Sequence, residues 1–118
     1  MATILVVEDN PASLKLAVML LEKAGHTVLK AEDGEAGVAL ARESLPDLVL
    51  MDIQMPGIDG LEATRRLRAD PATAQLKIVA LAMKGDEARI LDAGCDGYIA
   101  KPFRYQEFLE RVGAALGD

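Results

Sequence analysis

The sequence predicts an α/β fold: a doubly wound (βα)5 three-layer sandwich, with one parallel five-stranded sheet between two layers of helices. Three observations carry this. Five short apolar runs alternate with five helix-like stretches along all 118 residues. The runs at 4–7, 48–51 and 78–83 are unbroken rather than alternating, as in strands buried on both faces. A strict β-α-β succession with right-handed crossovers then closes on an open sheet covered on both sides.

The first strand is Ile4-Leu5-Val6-Val7, ending in Glu8-Asp9-Asn10. A helix follows from 11 to about 24. Asn10 suits its N-cap and Pro11 its first position, and Leu14, Ala17, Val18 and Leu21 share one face. Gly25 ends it. Residues 27–31 form the second strand, and Asp33-Gly34 turns into a helix over about 35–44 that is weakened by Gly37. After Pro46 the third strand runs through Leu48-Val49-Leu50-Met51 and stops at Asp52. Asp59-Gly60 opens a third helix to about 68, which Asp70-Pro71 closes. The fourth strand spans 77–82, the fourth helix 83–93 before Gly94, and the fifth strand 97–101. The last helix covers about 104–116, with Phe108, Leu109, Val112, Ala115 and Leu116 on one stripe.

Composition excludes several function classes. A net charge of −6, aromatics at 3% and the absence of Trp disfavour a phosphate-backbone binder or a base-stacking platform. One cysteine forms no internal disulfide, and no Cys/His zinc set is present. No apolar run approaches the roughly 20 residues a membrane span requires, and Met1-Ala2-Thr3 leads directly into a strand without a basic signal region. A single cytoplasmic domain over 1–118, in a reducing compartment, is expected.

Ligands of doubly wound sheets bind beyond the carboxyl ends of the strands, where strand order reverses. Glu8 and Asp9 end the first strand, Asp52 the third, and Lys101 the fifth. If the first and third strands are neighbours, three carboxylates share one concave space, so one is protonated or a cation sits among them. Oxygen ligands at a loop edge suit Mg2+, and Lys101 adds a point charge to the same rim. Such an edge holds a phosphoryl group, and a carboxylate there can be its nucleophile. A single Asp after a strand is more often a turn or cap residue, and Asp33, Asp59 and Asp70 take that reading. For Glu8, Asp9, Asp52 and Lys101, the conjunction at one sheet edge is the signal.

The segments Val6-Val7-Glu8-Asp9-Asn10, Leu48 to Gly60 and Gly97-Tyr98-Ile99-Ala100-Lys101-Pro102 resemble, in order and over the whole chain, the response-regulator receiver domains of bacterial two-component systems. The resemblance implies the flavodoxin-like strand order 2-1-3-4-5. It implies that Asp52 accepts a phosphoryl group from a phosphohistidine on a sensor histidine kinase or histidine phosphotransfer protein. Asp9, Asp52 and the Gln54 backbone carbonyl would hold Mg2+, with Glu8 acting through a bound water. Lys101 would contact the phosphoryl oxygens, a cis Lys101-Pro102 peptide is expected, and Tyr98 matches the family's aromatic switch. The implied protein is a single-domain phosphorelay regulator, a signalling module rather than an enzyme, with no output domain and no direct DNA or membrane binding.

Four rival readings stand beside it. One is a receiver segment of a larger hybrid kinase or regulator, and another a phosphorylation-independent interaction module. A phosphohydrolase lacks a second acidic group beside Asp52, where Gln54 stands, and a flavodoxin-like cofactor binder lacks a phosphate loop after the first strand.

One segment departs from the family. Receiver domains carry Ser or Thr at the end of the fourth strand, whereas this chain reads Ile78-Val79-Ala80-Leu81-Ala82-Met83-Lys84-Gly85 with no hydroxyl between Thr73 and Tyr98. By the family's spacing it is about three residues short after Leu81. Either those residues are absent, leaving a tight loop and an uncoupled switch, or a mobile stretch is missing from the sequence as written. The second is the reading adopted, and it predicts a chain break at Leu81–Ala82.

Among the remaining residues, His26 reads as a solvated turn histidine and Cys95 as a small packed residue. Arg65, Arg66 and Arg68 read as a solvated helix face. Met19 falls outside the core stripe of the first helix, beside Ala12 and Lys15, so that helix is expected to dock the phosphodonor protein. Arg104 and Tyr105 extend the expected partner surface.

Overall fold

The structure is a computed structural model that describes residues 2–117. Five strands alternate with five helices: β1 (Thr3–Val7), α1 (Pro11–Lys23), β2 (Thr27–Ala31), α2 (Gly34–Ser44), β3 (Leu48–Asp52), α3 (Gly60–Ala69), β4 (Ile78–Met83), α4 (Glu87–Ala93), β5 (Gly97–Lys101) and α5 (Tyr105–Ala115). All strands are parallel, in the order β2-β1-β3-β4-β5.

The unbroken apolar runs serve two cores at once, because successive side chains leave a strand on opposite faces. Leu5, Val7, Val49, Met51, Ile78 and Ala80 join α2, α3 and α4 on one face. Ile4, Val6, Leu48, Leu50, Val79 and Leu81 join Leu14 and Leu21 of α1 and Phe108 and Val112 of α5 on the other. β1 is the hinge of the winding. Its successor helix lies on one face and that of β3 on the other, so the chain parts above the β1–β3 pair and leaves a crevice there.

Local chemistry sets the helix starts. The side chains of Asn10, Asp33 and Asp59 accept the backbone N–H of Ser13, Ala36 and Glu62 at 3.0, 2.7 and 2.9 Å, each satisfying an otherwise orphan donor of the first turn. Asp70 accepts Ala72 N–H and pairs with Arg42, so it too is spent on local structure. Gly60 lets α3 start directly against the sheet, since a Cβ there would run into the Asp52 carbonyl oxygen and Ile53 Cα.

Two expectations fail at β4. The strand is continuous through Leu81, Ala82 and Met83, with Leu81 in register with Asp52 and Met83 with Lys101, so no chain break interrupts it. The fourth helix also begins at Glu87 rather than at 83. Pairing with β5 keeps Met83 in the sheet, and Lys84-Gly85 must turn the chain, with Gly85 at φ +104°, before a helix can form.

A third correction concerns Arg68. It is not part of a solvated face: its guanidinium donates to the carbonyls of Gly94, Ala74 and Leu76 and pairs with Asp96 at 2.9 Å. It ties the end of α3 to the segments entering β4 and β5. Arg65 and Arg66 are exposed, as expected, and pair with Glu62.

Candidate functional site

Strand register assembles the site. Val7 lies opposite Met51, so the residues that follow, Glu8 and Asp52, meet at the carboxyl end of the sheet. Glu8 N–H donates to Ala31 O at 3.0 Å, which extends the β1–β2 ladder one step and fixes where the Glu8 side chain starts. Asp52, the last residue of β3, accepts Gln54 N–H at 3.3 Å. Lys101, the last of β5, reaches back across β4 to place Nζ 3.3 Å from Glu8 Oε1 and 3.4 Å from Asp52 Oδ1.

One carboxylate oxygen from each of Glu8, Asp9 and Asp52 lies within 4.8 Å of the others. Glu8 and Asp52 are buried and Asp9 is the most open of the three. One ammonium group does not balance this set. Glu8 Oε2 is buried without a hydrogen-bond partner. The Glu8 carboxyl is pushed up from its ordinary 4.5 to about 7, first by burial and then by the hydrogen bond and negative charge of Asp52, which Lys101 only partly offsets. An orphaned buried oxygen beside two further carboxylates fits a hard divalent cation, which takes oxygen ligands and repays their mutual repulsion.

The cluster opens into a cavity of about 410 Å3. Glu8, Asp9, Asp52, Gln54 and Lys101, all singled out in the sequence, line it. Leu81 and Met83 line it as well and were not anticipated, because Met83 was assigned to a helix. The two-residue alternation through Val79, Leu81 and Met83 was the available signal.

Tyr98 does not line the cavity. It is half-buried against the α2–α4 core, with the Arg111 guanidinium 5.9 Å from its ring centre. Ala12, Lys15 and Met19 are exposed on α1, and Arg104 and Tyr105 are exposed at the start of α5, on the same side of the sheet. The Lys101–Pro102 peptide is cis.

Two tempting residues carry structure. His26 Nδ1 accepts Ala2 N–H at 3.2 Å. Cys95 is buried beside Thr64, and burial pushes its thiol up, away from the thiolate a nucleophile needs.

The parallel sheet presents clustered carboxylates and one lysine at its switch point, where doubly wound sheets bind their ligands. Residues 4–113 match the response regulator receiver domain, and the chain belongs to that family. It is 41% identical to the polar-differentiation response regulator DivK of Brucella anthropi, over 98% of this chain and 97% of that protein. The receiver domain of the sensor histidine kinase PA1611 of Pseudomonas aeruginosa, whose structure has a magnesium ion coordinated in the active-site cleft, superposes with a TM-score of 0.91. The two are 34% identical over 99% of this chain and 98% of the other. The chemotaxis protein CheY4 of Vibrio cholerae shares the fold, with a TM-score of 0.90 at 24% identity over 98% of both chains. The alignment with DivK runs over 119 positions, more than this 118-residue chain contains, so it includes positions this chain lacks.

The chain is therefore a response-regulator receiver domain of two-component phosphorelay signalling. Receiver domains act with histidine kinases or phosphotransfer proteins. Among the described residues, no helix is long and apolar enough to cross a membrane.

Proposed function

We propose that Asp52 accepts a phosphoryl group from a phosphohistidine and that Asp9, Asp52 and the Gln54 carbonyl hold Mg2+, with Glu8 acting through a bound water. The observation that carries this is the buried, under-compensated carboxylate set around Asp52, with Lys101 Nζ 3.4 Å away. An Asp52 carboxylate oxygen attacks phosphorus, the P–N bond to the donor imidazole breaks, and the imidazole keeps the electron pair. Lys101 donates to the phosphoryl oxygens and offsets their charge. The bound metal supplies neutralisation of that same charge. The domain is a cytoplasmic signalling module rather than a metabolic enzyme.

The test is intact mass after incubation with Mg2+ and acetyl phosphate. A gain of about 80 Da is expected for the parent and none for Asp52→Asn. No gain in the parent would overturn the acceptor reading and leave a phosphorylation-independent interaction module.

The donor protein docks on α1 beside the start of α5. Both helices pack on one face of the sheet and expose Ala12, Lys15, Met19, Arg104 and Tyr105 there. Met19 is 51% exposed on the outer face of α1, an adaptable apolar side chain at a partner surface. Met19→Lys should slow transfer from a phosphohistidine protein and leave uptake from acetyl phosphate unchanged; equal slowing of both would refute this placement.

A further inference from the structure

The side chains around the Asp52 carboxyl divide by strand. β1 and the loop after it bring Glu8 and Asp9, the β3 loop brings the Gln54 N–H, and β5 brings Lys101. β4 lies between β3 and β5 and lines the cavity with Leu81 and Met83, which have no side-chain hydrogen-bond donor; Ala82, between them, is buried in the core against which Tyr98 packs. The sequence offers no Ser or Thr between Thr73 and Tyr98 to replace one.

The end of β4 also has little slack. Ile53 N–H donates to Leu81 O at 3.4 Å, and Met83 is paired with Lys101. Lys84-Gly85 alone then separate the strand from Asp86, the N-cap position of α4. The Gly85 N–H is taken by the Glu87 carboxylate at 3.0 Å, and Asp86 pairs with Arg89 at 3.0 Å. Across β4, Tyr98 is held separately: its ring packs on the core, and its carbonyl accepts from Arg111 at 3.1 Å.

A group added at Asp52 displaces a neighbouring element only if it interacts differently with two positions of that element. New negative charge on Asp52 draws on donors. Lys101 already faces that carboxyl, so its response is an exchange of partner from Glu8 and Asp52 to the added group. The β4 side chains at the cavity, Leu81 and Met83, give the charge nothing to pull.

We infer that phosphorylation of Asp52 in this chain is not transmitted across β4 to Tyr98 and the exposed residues of α4 and α5. The phosphorylated state is read at the acidic rim itself, and the domain carries a phosphoryl group onward instead of switching shape. This rests on Asp52 being the acceptor.

The test is amide and Tyr-ring NMR of the full chain with Mg2+, before and after acetyl phosphate, with intact mass taken on the same samples. Large shifts are expected at Glu8, Asp52, Gln54 and Lys101, and several-fold smaller ones at the Tyr98 ring, Leu91 and Tyr105. Comparable shifts at Tyr98 and Leu91 in a sample that gained mass would overturn the inference while leaving the acceptor reading intact. No mass gain would overturn both. Ala82→Ser places a hydroxyl at the end of β4 with one added atom, on the face against which Tyr98 packs, and its Tyr98 ring should respond on phosphorylation. A silent Tyr98 in folded, phosphorylated Ala82→Ser would refute the missing hydroxyl as the cause. The parent spectra decide the main point whether or not that variant folds.

Discussion

The two rims of the acidic cavity are built on different principles. On the β1, β3 and β5 side, Lys101 Nζ lies 3.3 Å from Glu8 and 3.4 Å from Asp52, so one cation is shared by two carboxylates. On the β4 side, Leu81 and Met83 meet the same cavity with hydrocarbon and a thioether. The first rim is a coupled electrostatic unit in which a single change reaches every member. The second only bounds the space. Chemistry should therefore fail from one rim and be nearly indifferent to the other.

The largest effect is expected at Lys101, the cation shared by Glu8 and Asp52. Removing one preorganised charge donor from a partly buried site typically costs on the order of 10²-fold in rate. Lys101→Ala should lose about that much in phosphoryl uptake from acetyl phosphate, followed by mass against time. A rate within a few-fold of the parent would mean the coupled rim is not what drives the chemistry.

Glu8 gives the next effect, through pH. In the metal-free folded protein its carboxyl holds its proton up to about 7, against an ordinary value of 4.5. Between those values the folded state binds more proton than the unfolded one. Its contribution is therefore present below about pH 4.5 and lost as pH rises through 7. Denaturant midpoints in EDTA should fall from pH 5 to pH 8 for the parent, and fall less for Glu8→Gln. Mg2+ at pH 8 should restore part of the loss in the parent, because a cation bound only by the folded state stabilises it. A parent midpoint that does not move between pH 5 and pH 8 would show that Glu8 is not strained by its neighbours.

The contrast between the rims also marks what was legible in the sequence. Asp52 and Lys101 were readable because each closes a short apolar strand, and Asn10, Asp33 and Asp59 because each precedes a helical stripe that needs a cap. These signals are local. Met83 was misplaced because Met-Lys-Gly-Asp-Glu carries no decisive local preference, and its pairing with Lys101, a long-range contact, settles it in the strand. Arg68 was misread for the same reason. Its position on α3 looks solvated, and only the fold brings the carbonyls of Ala74, Leu76 and Gly94 around it. The orphaned Glu8 oxygen was beyond reach as well, since it depends on how Asp52 and Lys101 divide their contacts. The shortness of the β4 segment was read from its spacing against the family, and the register with β3 and β5 keeps Leu81, Ala82 and Met83 in one strand.

The smallest effect is expected at Met83. Its side chain is 50% exposed, and among the described residues no hydrogen bond or ion pair involves it. Met83→Ala removes thioether bulk from the cavity mouth without touching a charge or the backbone pairing with Lys101. Stability should change by less than about 0.5 kcal/mol, as for other exposed positions. A change of that size in a barrier is roughly a two- to threefold change in rate. Phosphoryl uptake and loss, followed by intact mass, should therefore stay within that range of the parent while Lys101→Ala falls far outside it. A tenfold acceleration of phosphoryl loss in Met83→Ala would break the comparison. It would show that the thioether keeps water from the acceptor, and that the apolar rim shares in the chemistry by exclusion where the charged rim acts by attraction.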